Sequence, residues 1–169
     1  MTATTSQERA GLDGLARTAI TLWAFFGGLA LSLVVLINVA SVIGGVVWKP
    51  FPGDFEMTEV GVAVAAFAFL PYCQLVGANV TADIFTSRAP VRLVAFFGVL
   101  ASLVALLFSL LLLWRMYYGM LDQKAYGYTT AILQFPHWIA FVPILISLAL
   151  LAVAALITLI ENTNSLRKA

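Results

Sequence analysis

The chain has 169 residues, of which 62% are Ala, Val, Ile, Leu, Met, Phe, Trp, Tyr or Cys and only 10% are charged, with a formal net charge of +1. Soluble domains run near half apolar and a quarter charged, so the composition excludes a soluble globule; near-neutrality without a basic cluster also excludes a disordered tail and a nucleic-acid binder. A lone Cys73 and a lone His137 leave no intramolecular disulfide and no ordinary zinc site.

An ionisable side chain at the bilayer centre costs about 2.5–3.5 kcal/mol on insertion scales, so charged residues mark span boundaries. Residues 18–48, 60–82, 93–114 and 125–160 contain no Lys, Arg, Asp or Glu. A spanning helix needs roughly 20 apolar residues, so each gap holds one helix. Trimmed by composition, the expected spans are 18–47, 57–76, 91–117 and 136–160, forming a single membrane domain over 1–169 with short polar tails.

The first apolar stretch is too long for a signal-peptide core of about 7–15 residues and is expected to be a retained helix. It exceeds a ~30 Å hydrocarbon core and must tilt or protrude. Asp54 is placed as the N-cap of the second helix and Pro136 in the first turn of the fourth. Pro71 and Pro143 fall inside apolar runs, where a kink or local rearrangement is expected. The fold class is therefore all-α integral membrane, with four long, tilted helices. No internal repeat is visible, so an inverted-repeat carrier is not indicated.

In a four-span arrangement, Arg9, Arg17, Arg88, Arg92, Arg167 and Lys168 share one side, against Lys49, Arg115 and Lys124 on the other. The positive-inside rule then puts both termini in the cytoplasm. Most Trp and Tyr residues, among them Trp48, Tyr128 and Trp138, fall toward the outer surface as an aromatic belt or a docking rim for a partner.

Few residues offer chemistry. Glu56 and Glu59 share a helix face and suit a helix anchor, an inter-subunit contact or, at the sharpest, ion or proton handling. Asn38 lies among Val, Leu and Ile as packing glue, with Ser41, Gln74 and Asn79 similar. Small residues at i, i+4 spacing (Ala24, Gly28, Ser32; Ala40, Gly44; Gly61, Ala65; Gly98, Ser102) allow close helix approach. A b-type haem usually takes two axial ligands, and one histidine supplies only one. The stretch from Asp83 to Arg92 reads as a solvated turn of mixed charge. No catalytic triad, phosphate loop or carboxylate metal cluster is present, so neither an enzyme nor a cofactor is expected.

The runs Pro52-Gly53-Asp54-Phe55-Glu56, Glu59-Val60-Gly61-Val62-Ala63-Val64, Phe69-Leu70-Pro71-Tyr72-Cys73-Gln74-Leu75 and Asn79-Val80-Thr81-Ala82-Asp83 occur in that order. Together with Gly127-Tyr128-Thr129-Thr130-Ala131-Ile132-Leu133-Gln134-Phe135-Pro136-His137-Trp138, they make the chain resemble the small, four-span, Q-type membrane subunit of TRAP (tripartite ATP-independent periplasmic) transporters. The likeness covers about residues 20–160. Two positions depart from the family pattern: uncharged Val42-Ile43-Gly44-Gly45 stands where an Arg is frequent, and Tyr128 where an acidic residue is frequent.

The resemblance implies a periplasmic binding protein that captures an organic acid or related solute. It also implies a large membrane subunit that moves the solute with sodium by an elevator-like motion, and a small subunit that scaffolds the large one in the bacterial inner membrane. Sodium is then expected on the large subunit. Asn38, Glu56, Glu59, Asn79 and Asp83 become candidate subunit-interface or structural residues, and Trp48, Tyr128 and Trp138 candidate docking residues. The rival readings are a stand-alone carrier using Glu56 and Glu59, and a membrane anchor for a respiratory enzyme.

Overall fold

A computed structural model describes residues 3–78 and 91–168, with side chains described over 13–78 and 93–167. Among them four helices follow in order: α1 (Ala3–Val47), α2 (Asp54–Val76), α3 (Val91–Ala125) and α4 (His137–Lys168). All four are long and apolar enough to cross a membrane. At 1.5 Å per residue, α2 is about 35 Å long and matches a ~30 Å core, whereas α1, α3 and α4 exceed it at about 68, 52 and 48 Å and so tilt or protrude.

The helices run past the apolar limits of the sequence. α1 begins at Ala3 and not near Thr18, α3 continues to Ala125 and not to about Tyr117, and α4 runs to Lys168. Charge marks where a helix leaves hydrocarbon, but a helix ends only where its backbone is capped. α2 and α3 both stop on a glycine in the left-handed region, Gly77 (φ 67°) and Gly127 (φ 62°). At each, two amide N–H groups turn back to the last helical carbonyls: Ala78 to Cys73 and Gly77 to Gln74, then Tyr128 to Gln123 and Gly127 to Lys124.

The start of α2 also differs from expectation. Gly53, at φ 81°, occupies the N-cap, and Asp54 is the first helical residue. A positive φ favours glycine, and a Cβ at Gly53 would meet Leu133. Pro136 lies just outside α4, in an isolated bridge with Thr129, and α2 and α4 run unbroken through Pro71 and Pro143.

Successive helices alternate in direction. The 48–53 and 126–136 connections share one end of the molecule, the connection end, while Arg17 of α1 meets Glu161 of α4 at the opposite end. α2 and α4 are central: α1 packs chiefly on α2, α2 on α4, and α4 on α3. The central core is Val64, Ile144 and Leu148, with Val60, Phe67, Leu112, Leu113, Met116 and Leu151 against it.

Small residues set the α1–α2 spacing. A Cβ on Gly27 would lie 2.7 Å from the Ala68 Cβ, and one on Gly61 would strike Val34. Long stretches of α1 and α3 stay uncovered, with Phe25, Leu29 and Val46 of α1 and Leu107 and Phe108 of α3 all exposed. In water such surface would aggregate; in a bilayer it is the face turned to lipid or to a partner.

Candidate functional site

The connection end is held by a polar clasp. The Ser41 hydroxyl on α1 donates to the Asp54 carboxylate and accepts the Phe51 N–H at 3.2 Å, tying both ends of the α1–α2 turn together. Two residues on, Glu56 accepts the N–H groups of Ile132 and Leu133 at 2.7 and 3.0 Å. A carboxylate in the first turn of α2 thus secures the α3–α4 connection, and favours its own helix dipole as well.

That connection is itself cross-braced. Thr130 N–H donates to the Phe135 carbonyl and its hydroxyl accepts the Phe135 N–H, each at 3.0 Å. His137 N–H donates to the Tyr128 carbonyl at 3.1 Å. Lys124 sits 5.2 Å from the ring centroid of Trp138, a cation–π contact that places the charge on an aromatic face.

Beneath the clasp lies an open, largely apolar crevice of about 580 Å³ between α1, the first turns of α2 and the 130–136 segment. Val34 and Ile37 form one wall, Met57 and Val60 line α2, and Leu133 and Phe135 come from the connection. Glu56 borders it, but its carboxylate oxygens face the two amides already named.

Along the helices, polar side chains bridge neighbouring elements. Asn38 of α1 donates to the Thr58 hydroxyl of α2 at 2.6 Å and to the Val34 carbonyl of its own helix at 2.9 Å. Trp23 Nε1 of α1 donates to Ser147 of α4 at 2.8 Å. Gln74 of α2 donates to Thr158 of α4 at 3.0 Å. Asn162 of α4 donates to Ser102 of α3 at 3.0 Å and lies 3.1 Å from where a Cβ on Gly98 would sit. Every pair of neighbouring helices is therefore pinned by at least one side-chain hydrogen bond.

The structure separates the sequence-selected residues by role. Asn38 and Glu56 are occupied within the chain. Glu59 is exposed, with no hydrogen bond or ion pair among the described residues. Asn79 and Asp83 lie outside the described residues. Trp48 and Tyr128 are exposed at 85% and 54%, while Trp138 is partly covered beside Lys124.

Sequence reasoning missed Trp23, Thr58, Ser147, Thr158 and Asn162, because a lone hydroxyl, indole or amide in or beside an apolar run does not reveal its cross-helix partner. Charged residues mark the expected span boundaries, but they do not mark helix ends: Arg17 lies nearly four turns inside α1. Because α3 extends to Ala125, Arg115 sits nearly three turns inside it, next to Met116 of the central cluster.

Four helices long and apolar enough to cross a membrane, with polar side chains used to bind one another, define a multi-pass membrane protein. Residues 33–164 match the family described as "Tripartite ATP-independent periplasmic transporters, DctQ component". The chain belongs to that family: it is the small membrane subunit of a TRAP transporter, a transport component and not an enzyme. No curated protein and no solved structure matched it. Family membership implies association with a large membrane subunit and a binding protein, and removes the respiratory-anchor alternative.

Proposed function

We propose that this chain is the stationary support of a sodium-coupled TRAP transporter in the bacterial inner membrane, with both termini cytoplasmic. In this reading the large subunit binds sodium and carries an organic acid or related anion. The small subunit holds the non-moving part of that subunit in the bilayer. The observation that carries the reading is the set of inter-helix pins: Asn38–Thr58, Trp23–Ser147, Gln74–Thr158 and Asn162–Ser102. A support must keep one shape while its partner moves, and polar pairs at each helix contact favour one register over slipped ones.

The connection end then faces the periplasm, and exposed Trp48, Phe51 and Tyr128 form a docking rim for the binding protein. Aromatic side chains anchor interfaces well because they offer large area with few rotors. Reconstitution in proteoliposomes tests the proposal. Sodium-driven uptake is expected only when the large subunit, this chain and the binding protein are all present. Uptake by this chain alone contradicts it.

A further inference from the structure

Glu59 is an exposed carboxylate with no hydrogen bond or ion pair among the described residues, about 7.5 Å along the axis of α2 from Asp54. The other carboxylates near it are both engaged, Asp54 by Ser41 and Glu56 by two amides. The salt bridge among the described residues, Arg17–Glu161, is at the other end of the molecule.

Glu59 belongs to a stripe. Phe55, Glu59, Val62, Ala66 and Leu70 follow at i, i+4, i+7, i+11 and i+15, the spacing of one helix face, and all five are exposed. The opposite face of the same helix, with Ala65, Ala68 and Pro71, is buried against its neighbours. α2 is a central helix with α1 and α4 packed on it, yet one full face stays open, with a carboxylate near its head and a small Ala66 at its middle.

We propose that this face of α2 is the seat of a transmembrane helix of the large subunit, and that a Lys or Arg of that helix pairs with Glu59. The inference rests on the family-based reading that a large subunit is bound. Charge complementarity selects the occupant. Hydrocarbon tails give a carboxylate no partner, and anionic headgroups repel it. A helix with a basic side chain near the same membrane level satisfies the charge, while Phe55, Val62 and Leu70 supply apolar contact. Ala66 lets the two backbones approach closely.

The test is co-purification of the full-length chain with its large subunit from co-expressing membranes. Wild-type chain is expected to bring down the large subunit. Glu59→Lys is expected to reduce the yield at least tenfold, and Glu59→Gln by less. Ala66→Phe is expected to reduce it similarly to Glu59→Lys. Ala149→Phe, on the exposed face of α4, is expected to leave it unchanged.

A second measurement does not depend on the charge variants. Val62→Cys, in a Cys73→Ser background, is expected to cross-link to cysteines placed along one helix of the large subunit. Failure of the wild-type chain to co-purify overturns the two-subunit reading and this inference with it. Wild-type recovery with Glu59→Lys and Ala66→Phe both at full yield, or cross-links from α4 but not from Val62→Cys, overturns the α2 seat alone.

Discussion

Glu56 reaches across from the first turn of α2 to the Ile132 backbone, accepting its N–H at 2.7 Å, so that one carboxylate joins the second helix to the connection between the third and fourth. The neighbouring Leu133 N–H is accepted by the other oxygen at 3.0 Å. Replacing Glu56 by Ala leaves both amides without this acceptor. Glu56→Ala is expected to speed limited proteolysis within 126–136 several-fold, with Glu56→Gln intermediate because its amide keeps one acceptor oxygen. Unchanged cleavage in both variants contradicts the clasp.

Gly27 tests the α1–α2 contact. Because an added Cβ would lie 2.7 Å from the Ala68 Cβ, Gly27→Leu is expected to force α1 away from α2, at a cost of about 1–3 kcal/mol. Thermal unfolding in detergent measures it. Gly14→Leu, where nothing lies within 4 Å of the added Cβ, is expected to be near neutral.

The Asn38–Thr58 pin is open to a double-mutant cycle. Hydrogen bonds between membrane helices average about 0.6 kcal/mol, so Asn38→Leu and Thr58→Val are expected to couple by roughly that amount. Additive effects on unfolding contradict a direct bond.

Arg17 and Glu161 provide the contrast. Their side chains are 41% and 56% exposed, and exposed ion pairs contribute about 0–1 kcal/mol, further weakened by salt. Glu161→Gln is expected to change unfolding little, and less still at high salt. A large salt-independent loss contradicts this assessment.

Trp48 and Tyr128 separate belt from docking rim. If they contact the binding protein, Trp48→Ala combined with Tyr128→Ala lowers binding-protein-dependent uptake severalfold while the large subunit still co-purifies. Equal uptake assigns both residues to the membrane interface.

How much of this was legible in the sequence follows from which forces are local. Each charge-free run falls on one of the four long apolar helices, because the cost of burying an ion acts residue by residue. Some helix ends were legible, Val47, Val76 and Val91 among them, but others were not, since α3 stops at the Gly127 cap and not at about Tyr117. Asn38 was readable as polar glue, but its partner Thr58 follows only from how α1 crosses α2. Glu56 and Glu59 looked equivalent in sequence. Only the placement of the 130–136 segment engages one and leaves the other exposed.

The central claim is that this chain keeps its shape while its partner moves. It is tested most directly by the distance between spin labels on α1 and α3, at Ser32→Cys and Leu107→Cys with Cys73 replaced by Ser. The measurement is made in the assembled transporter with and without sodium and substrate. The account predicts one distance distribution that does not change; a shift of several ångströms on adding sodium and substrate would contradict it.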